Sequence, residues 1–247
     1  MTTKTKDIID ILRDDTQYYG EFGKQYLSNS DIGTLLSNPK EFRVSRPDNK
    51  NFAEGRYFHQ LLLEPEKAEN TLCVDVASRN TKAYKEFIAE HEVEVALLNK
   101  ECNNVLDLVQ TIRGNIFMFD KMTEDTNEYE KPAVGMIKGM QWKGKADIIC
   151  EDCIIDLKTT SNINDFKWSA RKYNYDSQCY IYQQLFGRPL VFYVIDKNTK
   201  MLGIYKPSEE FVHYGEMKVE RAIEVHHKFF GDNPSEDINS FIIEDTL

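Results

Sequence analysis

Along this chain the spacing of apolar and polar positions changes several times, and each change marks an element. Residues 1–27 are polar with scattered aromatics and predict a helix or an ordered arm. Ser28-Asn29-Ser30-Asp31 offers capping side chains ahead of Ile32, Leu35 and Leu36, so a short helix is expected, ended by Pro39. A loop with Arg43, Arg46 and Pro47 leads to an apolar helix over residues 53–63, stopped before Pro65. Residues 71–77 alternate at Leu72, Val74 and Val76 like a short strand. A helical period returns over residues 81–119, through Tyr84, Phe87 and Ile88 and then Val105, Leu108, Val109 and Ile112.

The second half reads differently. Residues 129–142 predict a strand, and the β-type runs 146–150 and 153–158 flank Glu151-Asp152 as a hairpin would. From Lys167 or Tyr173 to Phe186 the period is helical again, closed by Gly187 and Pro189. Residues 190–195 and 202–205 predict strands and 208–230 a helix, followed by a Gly/Asp/Asn/Pro turn. This order predicts an α/β fold, a central mixed β-sheet flanked by helices with a helical N-terminal region. We read one domain over residues 1–247: a mainly helical part to residue 120, a core over 121–233 and an acidic tail over 234–247. No internal repeat is visible.

The hairpin carries the strongest chemical signal. Asp156 and Lys158 share one strand face, with Ile155 and Leu157 on the other. If the loop has two or four residues centred on Glu151 and Asp152, Asp147 falls opposite Asp156; a three-residue loop takes it off that face. Two carboxylates about 5 Å apart repel by roughly 3 kcal/mol at an effective dielectric of about 20. A cation between them, or a proton on one, relieves that repulsion, so the pair marks a candidate divalent-metal site with Lys158 beside it. Tyr175, Gln178 and Tyr182, at spacings of three and four, share one helical face behind the hairpin. Gln178 there could orient a lysine or touch a phosphate, and a half-buried helix face explains the same pattern. His59 stands on an apolar helix, where histidines are more often structural than ligating, and Glu130 alone is unremarkable.

Composition narrows the classes. With 41% hydrophobic residues the chain is globular, and no stretch could span a bilayer. The first fifteen residues lack the apolar run of a signal peptide. A net charge of −10 argues against coating nucleic acid, while leaving room for a locally basic cleft. Lys167, Trp168, Arg171 and Lys172, then Arg43, Arg46 and Arg56, are the candidates for such contacts, with a solvated charged face as the alternative. Five scattered cysteines make a disulfide framework unexpected and a reducing cytoplasm the best fit. Cys150 and Cys153 invite zinc, but Cys73, Cys102 and Cys179 lack partner spacing, so no zinc is expected.

Taken in order, these segments resemble the PD-(D/E)xK nuclease superfamily, and within it RecE-like phage and prophage exonucleases (exodeoxyribonuclease VIII). Lambda exonuclease and the RecB and Cas4 nuclease domains are more distantly similar. The resemblance rests on Ser28-Asn29-Ser30, Asn38-Pro39 and Phe42, the helix at 55–65, Glu130, 144–147, 155–160 and the Tyr175/Gln178/Tyr182 helix. It implies that Asp147 and Asp156 are the two motif acids and Lys158 the motif lysine. It further implies that His59 and Glu130 join them on the metal, that Gln178 and Tyr182 form the following helix motif, and that Tyr175 and Tyr182 contact DNA. Ala146 stands where the motif has proline.

The implied chemistry is Mg²⁺-dependent, with Mn²⁺ suited by the histidine, and no iron–sulfur cluster because only Cys179 follows the motif. The implied activity is 5′→3′ exonuclease action on linear double-stranded DNA ends. Implied partners are a single-strand annealing protein and further copies in a ring-like homo-oligomer, with no membrane. A Cas4-like or restriction-type endonuclease and a catalytically silent DNA-binding module are the rival readings.

Overall fold

The structure, a computed structural model, describes residues 3–244. The arm forms helices α1 (Thr3–Leu12) and α2 (Asp15–Tyr19). Ser28 then opens α3 (Asn29–Ser37), with Asp31 Oδ2 accepting from the Ser28 backbone N–H at 2.8 Å. Asn49 caps α4 (Lys50–Leu63), and Pro65 starts the short α5 (Pro65–Ala68). After these come β1 (Cys73–Val74), α6 (Lys82–Glu90), β2 (Leu97–Leu98), α7 (Asn99–Gly114) and α8 (Ile116–Met122). The core follows as β3 (Glu128–Ile137), β4 (Met140–Ile149), β5 (Ile154–Thr160), α9 (Phe166–Lys172) and α10 (Tyr175–Phe186). It closes with β6 (Leu190–Asp196), β7 (Leu202–Tyr205) and α11 (Glu209–Phe230).

Strands β3 to β7 form one sheet in chain order, antiparallel except for β5 and β6. That parallel pair needs a crossover, which α9 and α10 supply. All of β6 is buried, because both faces are covered. Phe192 and Val194 face a core shared with α3, α10 and α11, through Leu35, Ile181 and Val219. Val191, Tyr193 and Ile195 face a second core shared with α4, α7 and α8, through Phe58, Leu108 and Met118. The result is the expected helix–sheet–helix sandwich.

Several expectations need correction. The strand expected over 129–142 is a hairpin: Lys138 (φ 49°) and Gly139 (φ 81°) make the left-handed two-residue turn that matches strand twist. The helical stretch 81–119 is broken, since β2 separates α6 from α7 and Asn115 separates α7 from α8. The strand at 71–77 shrinks to Cys73–Val74, paired only with Leu97–Leu98. The helix ending at Phe186 is split by Asn174 in a left-handed conformation (φ 58°). Cys73 and Cys102 form a disulfide, which was not expected. They lie 29 residues apart with no short motif, and packing of β1 against α7 brings them together. A reducing compartment inferred from unpaired cysteines loses that support. The tail folds back, with Phe241 against Phe229; residues 1–2 and 245–247 lie outside the described residues.

Candidate active site

The β4–β5 ladder is short. It pairs Ile149 with Ile154 and Ile148 with Ile155, across a four-residue loop, and stops there. The next position along the register is Asp147 opposite Asp156, so the strands fork at the two acids. Above the fork β4 turns to the arm: Leu27 N donates to Gln141 O at 2.9 Å, and Lys143 N donates to Leu27 O at 2.8 Å. The side-chain alternation of β4 also slips here. Trp142 and Ala146 face the α10 core, whereas Ile148 and Cys150 face the α4 core.

Asp147 fills the fork itself, its Oδ2 accepting from Leu157 N at 2.7 Å in place of a ladder bond. On the other side, the β3–β4 register sets Glu130 opposite Asp147, between the pairs Tyr129–Ile148 and Lys131–Ala146. Three carboxylates therefore stand in one row across three adjacent strands. Glu130 has φ 45°, a left-handed conformation that costs a non-glycine residue about 1–3 kcal/mol. Strain of this kind concentrates at functional positions.

His59 reaches the row from α4. Its Nε2 lies 3.0 Å from Leu157 O, which can only accept, so Nε2 carries a proton. Its Nδ1 then points at Asp147 Oδ2, 3.4 Å away. One ligand atom each from His59, Glu130 and Asp147 lie within 4.8 Å of one another. Asp156 and Lys158 sit alongside. Gln178 Nε2 donates to Asp156 Oδ1 at 2.7 Å, and Lys158 Nζ lies 2.6 Å from Oδ2. Oδ2 nevertheless has no partner of hydrogen-bond geometry, although it is buried. The Tyr175 ring lies 4.9 Å from the Lys158 ammonium.

Burial and mutual charge set the protonation of the row. Burial and the Asp147 charge push the Glu130 carboxyl up to about 8, against an opposing pull from His59. Burial would lower His59, but Asp147 raises it to about 9. Burial also works to raise Asp147, yet His59, Lys158 and the Leu157 N–H hold it below the usual carboxylate range. Burial pushes Asp156 up, with Lys158 opposing, and Asp156 keeps Lys158 charged despite its burial. A carboxyl and an imidazole both holding protons at neutral pH, around an ionised Asp147, form a cluster that a divalent cation would discharge. The donor set fits such an ion: two or three carboxylate oxygens, an imidazole nitrogen whose far side is already anchored, and Asp156 Oδ2, met only by the Lys158 ammonium.

Four expected metal residues thus meet, three around one point and Asp156 beside them. Gln178 orients an acid rather than a lysine or a phosphate. Tyr182, expected at a DNA contact, is buried and donates its hydroxyl to Lys145 O at 2.8 Å, so it supports β4 from below. Lys167, Trp168, Arg171 and Lys172 are exposed on α9; Arg171 covers the Tyr214 ring and Lys172 the Tyr173 ring. Tyr173 lies 6.1 Å from Tyr175, which links that surface to Lys158. Arg56 is half-exposed and paired with Asp48 at 2.6 Å, and Arg46 is paired with Glu41.

Sequence reasoning missed Asp15, Lys67 and Lys145. Lys145 bonds Asp15 Oδ1, and Lys67 lies 2.7 Å from Asp15 Oδ2, beside the row. The period-two spacing of Lys145 and Asp147 on β4 was the available signal.

A five-stranded sheet between helical layers, with an Asp-x-Lys strand and an acid row on its neighbours, defines a PD-(D/E)xK-type core. Residues 36–231 match the family model described as PDDEXK-like domain of unknown function (DUF3799), and the chain belongs to that family. It is similar in fold to a crystal structure from Eubacterium rectale described as "Putative exonuclease", with a TM-score of 0.64 and 18% identity over 95% of both chains. The crystal structure of SSO0001 aligns at a TM-score of 0.39 and 14% identity, over 91% of this chain and 87% of that one. Comparison with curated proteins finds no match. No helix among the described residues is long and apolar enough to cross a membrane.

Proposed function

We propose that this chain is a Mg²⁺-dependent deoxyribonuclease acting as a RecE-like exonuclease on linear double-stranded DNA ends, with Mn²⁺ as an alternative ion. The observation that carries the reading is the convergence of His59, Glu130 and Asp147 beside the Asp156–Lys158 pair. His59, Glu130, Asp147 and Asp156 would hold the ion, which when bound neutralises charge at the scissile phosphate and activates water. Lys158 steadies the attacking water and offsets the charge that develops on phosphate. Gln178 fixes the carboxylate plane of Asp156, and the Tyr175 ring keeps the ammonium in place. Lys167, Trp168, Arg171, Lys172 and Arg56 grip the duplex, and Tyr175 closes the approach to Lys158.

By the same resemblance the enzyme degrades 5′→3′, leaves 3′ single strands for phage-type recombination beside an annealing protein, and works as a ring in the cytoplasm. The redox state of Cys73 and Cys102 in fresh cell extract checks the compartment.

The central test incubates the protein and its Asp156→Ala and Lys158→Ala variants with Mg²⁺ and either linear or covalently closed circular duplex. Loss of linear DNA alone, abolished in both variants, is the expected outcome. Cutting of the closed circle would instead establish the endonuclease. If neither substrate is consumed under any divalent ion, the enzyme reading fails and a silent binding module takes its place.

A further inference from the structure

Beside the acid row, two lysines from different elements converge on one carboxylate. Lys145 lies two residues before Asp147 on β4, and its side chain is only 8% exposed. Lys67 comes from α5, directly after the helix that carries His59, and also pairs with Glu64 at 2.6 Å. Between them sits Asp15, delivered by the arm, with one oxygen on each ammonium. The two lysines hold its carboxyl below the usual range although burial works against them. Lys145 also lies 4.7 Å from the Tyr18 ring and 5.6 Å from the Tyr19 ring. Glu130 feels the charges of Lys145 and Glu64, and Tyr19 feels Glu130 and Asp147, so this cradle borders the row itself.

Lys143, equally buried two residues earlier, is met by Tyr18 O and the Tyr18 ring, whereas Lys145 is met by a carboxylate, which marks its position as the one built for an anion. In the free protein the arm provides one, and a phosphodiester carries the same single charge. The exchange is therefore charge-neutral for Lys67 and Lys145. The arm is held on the sheet through Leu27, through Tyr18 O, which accepts from Lys143 Nζ, and through α1 packed on β3, so displacing Asp15 needs its side chain to turn away while these contacts stay.

We propose that Lys67 and Lys145 form a phosphate subsite next to the reacting one, and that Asp15 occupies it as an internal phosphate mimic until a polyanion displaces it. The subsite deepens the nuclease reading and, for its natural ligand, rests on it. It has its own probe, however, in inorganic pyrophosphate.

Binding of pyrophosphate, and of a fluorescein-labelled blunt duplex in Ca²⁺, is measured for wild type, Asp15→Asn, Lys145→Met, Lys145→Arg and the Asp15→Asn/Lys145→Met double variant. Melting curves confirm that each is folded. Asp15→Asn is expected to bind both probes about three- to tenfold tighter, because a competing internal anion is removed. That gain disappears in the double variant, and Lys145→Arg keeps near-wild-type binding. Lys145→Met lowers the slope of log affinity against log salt for the duplex by about one. A folded Asp15→Asn protein that binds pyrophosphate no better than wild type overturns the subsite. Tighter pyrophosphate binding without any binding or cutting of DNA keeps the subsite and removes the nuclease reading. DNA cleavage whose KM and salt slope ignore both Asp15→Asn and Lys145→Met does the reverse.

Discussion

Metal binding should expel protons, and their number follows from the site. Without an ion, Glu130 holds its proton up to about pH 8, driven by burial and the Asp147 charge, and His59 holds a second up to about pH 9. At pH 7 the titration equation then leaves about 0.9 of a proton on Glu130 and nearly a full one on His59. A divalent ion needs an ionised carboxylate and a free Nδ1 lone pair, so both protons must leave. These two groups alone therefore release about 1.9 protons per ion at pH 7, falling to roughly 0.6 at pH 9, and any proton that burial keeps on Asp156 adds to them. The sign is fixed: ligand protons compete with the ion, so affinity rises with pH through this window and levels off above it. Between pH 6 and 7 it should rise by nearly 100-fold, since two protons are linked.

Calorimetric titration with Mn²⁺ in buffers of different ionisation enthalpy measures the release directly. Glu130→Gln should take away close to one proton and leave the His59 proton in place. A release near zero at pH 7, with an affinity that ignores pH between 6 and 8, would refute the assignment of these two groups as ligands.

Other consequences can be checked on the same protein. Lys158→Met should lower kcat by about 10²–10³ while Mn²⁺ still binds, because His59, Glu130 and Asp147 are untouched; stopped assays beside calorimetry separate the two. Gln178→Leu leaves Asp156 Oδ1 buried and unpaired, and should destabilise the fold by about 1–3 kcal/mol in urea melts. Gly215→Ala puts a Cβ 2.0 Å from the Asp176 backbone oxygen, where α11 crosses α10, and should lower Tm by roughly 10 °C. Cys73→Ser opens a covalent loop spanning 29 residues and should cost about 3–4 kcal/mol, matched in the wild type by adding a thiol reductant.

The parts of the site legible in the sequence are those set by local rules. A four-residue tip between Ile148-Ile149 and Ile154-Ile155 fixes the register by itself, because side-chain alternation allows no half-step. That register puts Asp147 opposite Asp156 and Lys158 on the Asp156 face, as the pattern of the hairpin implied. Helical spacing likewise put Tyr175 and Gln178 on one face, but not what that face meets. The simple picture of two carboxylates repelling across a ladder was incomplete: the ladder ends before them, and Asp147 binds the Leu157 N–H instead. No local pattern announces such a fork, since it arises where Leu27, more than a hundred residues upstream, takes over the edge of β4.

The same cause hid the lysine cradle. Asp15 meets Lys67 and Lys145 across 52 and 130 residues, and only the return of the arm along β4 makes them neighbours. Asp15 is the carboxylate on Lys145, and the Tyr18 and Tyr19 rings lie over the same ammonium, so the arm both pairs and covers the lysine two residues from Asp147. The fork thus creates both requirements at once. Parting β4 from β5 opens room for an ion among His59, Glu130 and Asp147, and it exposes the β4 edge and its lysine to whatever anion comes nearest. On the reading proposed above, an opening that admits a metal and a phosphate must also be covered, and in this chain Leu27 lines its β4 edge while Asp15 pairs with its lysines.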